Sequence, residues 1–166
     1  AGKMLARIHG TQVESAVPDV LSVSSTVGEM DGTVDQLESS GEEGVATGLI
    51  SRALGQAASI REEPLPLPIR PVHGDFRAQN LFFEGDEVSA VLDLDGVGQG
   101  IGLLDLAYAL VFFRAVLADG APAPEEMATF LGAYLEVASL KKEELELLPG
   151  ALALSLGRGL ALWSRI

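Results

Sequence analysis

Two short stretches carry the side chains that could do chemistry. VHGDFRAQNLFF (residues 72–83) sets His73, Asp75 and Asn80 in the spacing His-x-Asp-x-x-x-x-Asn. AVLDLDGVGQ (residues 90–99) leads an apolar run into Asp93 and Asp95, and Gly96 follows at once. An aspartate in such a place can attack phosphorus as a nucleophile. It can also do no more than hold a magnesium ion beside a nucleotide. The nucleophilic route needs a lysine for the phosphoryl oxygens and further paired carboxylates. After Gly96 the only lysines are Lys141 and Lys142, adjacent in an acidic helix start, and the only aspartates are Asp105 and Asp119. The second route needs a carboxylate that accepts or orients a hydroxyl proton, and oxygen ligands for the metal. A loop bearing Asp75 and Asn80, hairpinned to Asp93, can bring these groups round one point.

The elements that position these groups follow from periodicity and turn signals. NLFFEG and EVSAVLDLD flank Gly85-Asp86, a dipeptide favoured in tight turns, and predict a β-hairpin between Asn80 and Asp93. EEPLPLPIRP runs extended, since its prolines forbid helix. Helices are expected over residues 45–60, over a buried apolar run at 103–117, and from Pro124 to about Ala138. Two more are expected at about 142–148 and 151–163. Met4, Leu5 and Ile8 put the chain's first residues in a helical pattern. Residues 11–44 are rich in Ser, Thr, Gly, Asp and Glu and read as an acidic, mobile loop with one or two helical turns. The expected fold class is α+β: a small β-hairpin carrying the catalytic and metal-binding loops against a mainly helical body.

Composition excludes several classes. The 166 residues are 48% hydrophobic and 21% charged, as in a globular domain. A formal charge of −13 repels phosphate backbones and excludes nucleic acid and anionic membrane as main partners, and it could attract a cationic substrate. The absence of cysteine excludes a disulfide framework and thiolate metal sites and suits the cytoplasm.

HGDFRAQN, joined to LDLDGVGQGIGLLDLAYAL, resembles the aminoglycoside phosphotransferase and choline kinase-like family, which shares the catalytic lobe of protein kinases. The close match runs from residue 71 to 107, and MLARIHG resembles the helix-plus-histidine segment that begins the family's C-terminal lobe. The resemblance implies an ATP-dependent kinase acting on the hydroxyl group of a small molecule. Asp75 would be the catalytic base, and Asn80 and Asp93 the magnesium ligands at the nucleotide. Asp95 either assists the metal or faces water. Arg77 either offsets charge on the transferred phosphoryl group or is a surface arginine. His73 would fix the loop by hydrogen bonds, and His9 would only pack. Asp105 is expected as a helix N-cap, to which the resemblance adds a brace on the catalytic loop.

Leu94 stands where many relatives carry an aromatic residue, and AGKM is not a phosphate loop. The expectation is therefore a C-terminal lobe spanning 1–166, its N-terminal nucleotide-binding lobe truncated or carried on another chain. Such a piece is expected to be inactive alone and able to self-associate through its inter-lobe face. Two alternatives stand beside this reading. One is a non-catalytic kinase-like binding module. The other is a phosphatase, since VLDLDGV also resembles the opening motif of the haloacid dehalogenase superfamily, in which Asp93 would be the nucleophile. That superfamily sets this motif on the first strand of its core domain, and here only residues 97–166 follow it.

Overall fold

The computed structural model describes residues 1–12, 19–41, 44–61, 67–113 and 123–164. In chain order the elements are α1 (Gly2–His9), β1 (Asp19–Leu21), α2 (Val23–Ser40), α3 (Val45–Gln56), α4 (Ala58–Arg61) and β2 (Ile69–Val72). They continue with β3 (Leu81–Glu84), β4 (Glu87–Val91), β5 (Gly98–Ile101), α5 (Gly102–Phe112), α6 (Pro124–Leu135) and α7 (Lys142–Trp163). Short 3₁₀ turns at Ala78–Asn80 and Leu94–Gly96 precede β3 and β5.

The predicted hairpin is β3–β4: Leu81 faces Val91, Glu84 faces Glu87, and the ladder bulges between Phe82 and Phe83. Gly85 takes a positive φ of 62° at its turn. Of the stretch expected to run extended, residues 62–66 lie outside the described residues; its end enters β2, which runs antiparallel to β5 with Val72 opposite Gly98 and Ile69 opposite Ile101. With β1 parallel on the other side, β5 is the centre of a three-strand sheet that periodicity alone did not announce. A strand spelled Gly-Gln-Gly-Ile has almost no side-chain signal, and its Gly100 serves close approach: a Cβ there would lie 2.8 Å from Leu21 Cβ.

α5 is apolar on most sides because it is packed on two. Leu103, Leu104 and Ala107 join a core with Met30 of α2, Ile50 of α3 and Leu154 of α7. Leu106, Ala109 and Leu110 join a second core with Leu5, Phe76, Phe130 and Tyr134. Of the run expected as helix at 103–117, residues 114–117 lie outside the described residues.

Three local expectations fail. The single helix expected over residues 45–60 is two, α3 and α4, divided at Ala57. Residues 23–40, expected within a loop, form an 18-residue helix. Ser22 caps it, its side chain accepting from Ser25 N–H at 3.1 Å, and Ser25 Oγ accepts from Ser22 N–H in return. Its buried stripe is Thr26, Met30, Thr33 and Leu37. The two threonines pass as core residues because their hydroxyls donate to the carbonyls of Ser22 and Glu29, leaving methyl groups to pack. The two helices expected at the end of the chain are instead one, α7, which runs through Pro149. Packing holds it: Leu147, Ala151 and Leu154 are buried around that turn, which outweighs a lost backbone hydrogen bond. α7 is long and apolar enough to cross a bilayer by composition, but half of it is buried against the rest of the fold.

Candidate active site

The loop from Val72 to Asn80 is held from both sides. His73 N–H donates to Asp105 Oδ2 at 2.8 Å and Gly74 N–H to Oδ1 at 2.9 Å. Asp105 is fully buried in the first turn of α5. It is not the N-cap, as expected from its place before an apolar run; β5 passes straight into α5, so Ile101 occupies the cap and makes no side-chain bond. The Asp105 carboxylate braces the backbone of the preceding loop instead.

His73 is fully buried. Its Nε2 donates to the carbonyl of Leu92 at 3.0 Å, and its Nδ1 accepts from Asp75 N–H. Both ring nitrogens are thus used in one neutral tautomer. The ring ties the loop to the residue before Asp93. Beside it the backbones of the two loops touch: a Cβ on Gly74 would lie 2.6 Å from the Gly96 carbonyl oxygen. Gly74 has a φ of 81°, so glycine meets both the conformation and the space.

Asp75 is surrounded by donors. Tyr108 Oη–H reaches Oδ1 at 2.7 Å, while Arg77 Nη2 at 2.5 Å and Asn80 Nδ2 at 3.0 Å reach Oδ2. Burial pushes the carboxyl up, but the hydrogen bonds from Tyr108, Arg77 and Asn80 and the Arg77 charge outweigh it and hold it below the usual value. Tyr108 moves the other way: burial first, then the bond to Asp75, push its phenol well up. Arg77 is a partner of the carboxylate rather than a free surface group.

Asn80 closes the 3₁₀ turn. Its amide nitrogen donates to the Asp75 carbonyl at 2.8 Å as well as to the carboxylate, which leaves Oδ1 as its available acceptor. Its own carbonyl accepts from Leu92 N–H at 2.8 Å, fixing the base of the hairpin to the start of the second motif. Asp93 follows directly, exposed, with φ 56° and ψ 68°. Among the described residues it is the only non-glycine with a positive φ. That conformation costs about 1–3 kcal/mol and is typical of residues placed for function. Asp95 is exposed in the next turn.

The oxygen set fits magnesium. Asn80 Oδ1 and the Asp93 carboxylate are hard donors on two loops tied at Leu92. No group of three Asp, Glu, His or Cys side chains able to hold a metal occurs among the described residues. Magnesium does not need such a cage, because it keeps waters and phosphate oxygens in its shell.

Sequence reasoning missed two features. Tyr108 was available to it: in LLDLAYAL the only polar side chains are Asp105 and Tyr108, three apart and so on one face. His9, expected only to pack, has both ring nitrogens bonded, Nε2 to Asp105 and Nδ1 to Tyr134. Nothing near His9 in sequence signals those distant partners.

A profile of the phosphotransferase enzyme family matches residues 1–148. The chain belongs to this family. Among solved structures this phosphotransferase-family chain is similar to the aminoglycoside-3'-phosphotransferase of type VIII, with 21% identity and a TM-score of 0.57 over 92% of this chain and 58% of that one. It is also similar to a choline/ethanolamine kinase family protein from Mesorhizobium loti, with 16% identity and a TM-score of 0.64 over 99% and 53%. A third is an aminoglycoside phosphotransferase from Streptomyces rimosus, solved with ADP and streptomycin, with 16% identity and a TM-score of 0.52 over 93% and 61%. The chain thus spans a little over half the length of these structures. No curated protein matches it. These likenesses bear out the α+β, kinase-like fold class.

Proposed function

We propose that this chain is the catalytic half of an ATP-dependent kinase that phosphorylates a hydroxyl group of a small molecule. The observation that supports it most is the join between the two loops. Asn80 bonds Asp75 through its side chain and Leu92 through its backbone, so a base and a metal-ligand pair share one frame.

In this reading Asp75 orients the acceptor hydroxyl and takes its proton as the oxygen attacks the γ-phosphorus and the bond to the bridging oxygen breaks. Asn80 Oδ1 and Asp93 hold Mg²⁺, with Asp95 assisting. Bound magnesium supplies charge neutralisation at the phosphates. Arg77, held on Asp75, adds positive charge beside the transferred group. His73 and Asp105 keep the loop in shape. A lobe that grips the phosphates, supplied from outside these 166 residues, completes the site. Exposed Phe82, Phe83, Leu92 and Leu94 on the hairpin and second loop are the apolar surface such a lobe, or a second copy of the chain, would cover.

The test is a titration with Mg²⁺-ATP by calorimetry, alongside incubation with labelled ATP and streptomycin, choline or ethanolamine as acceptors. Mg²⁺-dependent nucleotide binding that falls at least about tenfold in Asn80→Ala and Asp93→Ala is expected. Metal-independent binding, or none even with the completing lobe present, would favour a non-catalytic module. Label trapped on Asp93 would favour the phosphatase chemistry instead.

A further inference from the structure

Asp105 has a third donor besides the two backbone N–H groups of the loop: His9 Nε2, at 3.1 Å from Oδ2. His9 is itself one link in a longer series. Its Nδ1 lies 2.8 Å from the Tyr134 hydroxyl, and Arg70 Nη1 donates to that hydroxyl at 3.3 Å. Arg70 Nη2 then meets both oxygens of Glu144 at 3.2 Å, and Glu144 Oε2 accepts from Lys141 N–H at 3.0 Å. Of these side chains His9, Tyr134, Asp105 and Glu144 are at most 5% exposed. They come from α1, α6, α5 and α7, with Arg70 on β2.

The hydrogen-bond rules give this series a direction. A carboxylate only accepts, so the His9 nitrogen facing Asp105 carries the proton. An arginine only donates, so the Tyr134 oxygen accepts from Arg70 and has its own proton to give. The one acceptor beside it is His9 Nδ1. Every group is satisfied when His9 is neutral and protonated at Nε2, with donation running Arg70 to Tyr134 to His9 to Asp105. Protonating Nδ1 would set two donors against one hydroxyl oxygen and leave the phenol proton without a partner. Burial also pushes the Tyr134 phenol up, which keeps that proton in place.

We infer that His9, Tyr134, Arg70 and Glu144 are positioning residues that act through Asp105 to hold the His73–Gly74 backbone, and with it Asp75, by a one-way hydrogen-bond chain. The consequence for turnover rests on the kinase reading above; the chain itself does not. The chain would thereby link residues as far apart in sequence as His9 and Glu144 to the loop at His73–Gly74.

The experiment uses the 166-residue chain. Nitrogen NMR of the imidazoles reads the tautomer directly, and amide hydrogen exchange reads the loop. His9 is expected as the neutral Nε2–H form. Tyr134→Phe and Arg70→Met are expected to speed exchange at His73 and Gly74 by about tenfold, the scale of one lost buried hydrogen bond. Leu106 and Leu110 in α5 should hold their protection. His9→Gln, which keeps a donor where Nε2 was, should restore most of the protection that His9→Leu removes. A His9 protonated at Nδ1 or at both nitrogens at neutral pH, or exchange that rises equally in loop and core, would overturn the inference. In the completed enzyme the same variants should lower kcat and leave KM for both substrates within about twofold; unchanged kcat in a turning-over enzyme would also overturn it. Absence of any turnover with the NMR results intact would count against the kinase reading alone.

Discussion

The Tyr108 hydroxyl donates to Asp75 Oδ1 at 2.7 Å, while Arg77 and Asn80 occupy Oδ2. An ionised carboxylate offers about four acceptor directions. Three are taken from within the chain, and the one left lies on Oδ1 beside Tyr108. An acceptor hydroxyl that reaches Asp75 must come in there. Tyr108→Phe is expected to lower kcat about tenfold and to leave KM for nucleotide nearly unchanged, because it frees the carboxylate to turn. Steady-state kinetics with nucleotide and acceptor varied separately would check this. Equal effects on both KM values would place Tyr108 in general substrate binding.

Asp75→Asn keeps the size and most of the polar contacts but removes the carboxylate proposed to accept the proton. Turnover is expected to fall by about 10²- to 10⁴-fold while Mg²⁺-nucleotide affinity stays within about threefold. Rapid-mix product assays beside equilibrium titration separate the two quantities. A variant that turns over within a few-fold of the parent would remove Asp75 from the role of base.

The hydrogen bonds on Asp75 also set how the fold responds to acid. A carboxyl held low in the folded state stabilises it above the unfolded value of about 3.9, and that contribution is lost as pH falls through the folded value. Tyr108→Phe brings the two values closer. Its thermal stability deficit should therefore be full near pH 6 and shrink below about pH 4. Tyr108 contributes in the opposite sense at the alkaline end: its raised phenol favours the fold until pH climbs past about 10. Melting curves across the pH range would show a deficit independent of pH if the bond to Asp75 were absent in solution.

Gly74→Ala places a methyl group against the Gly96 carbonyl and forces an L side chain to φ 81°. A loss of about 1–3 kcal/mol in urea denaturation is expected. Gly28→Ala on α2 is the control. Nothing lies within 4 Å of its added carbon, and the helix should gain about 0.5–1 kcal/mol.

Much of the site was legible because it is local in sequence. Asp75 and Asn80 sit on one loop, and the turn at Gly85-Asp86 alone is enough to return the chain to Asp93. What stayed hidden is long-range or lacks an apolar signature. Strand β5 is half glycine, α2 buries threonines whose polarity is cancelled by their own backbone, and α7 keeps its course through Pro149 because of what packs against it. His9 and Tyr134 are 125 positions apart, so only folding puts them together. Asp105 was expected at the right spot for a partly wrong reason, since a helix that starts directly from a strand leaves no gap for a cap.

The touching backbones at Gly74 and Gly96 also bear on inheritance. The spacing between the two loops is written in peptide units, with no side chain interposed to be traded or worn away. A joint of that kind asks for no Cβ at residue 74 and leaves little room for one at residue 96, where it would lie 3.1 Å from the His73 carbonyl oxygen. Side chains elsewhere could be exchanged around such a joint without altering the distance between the two loops.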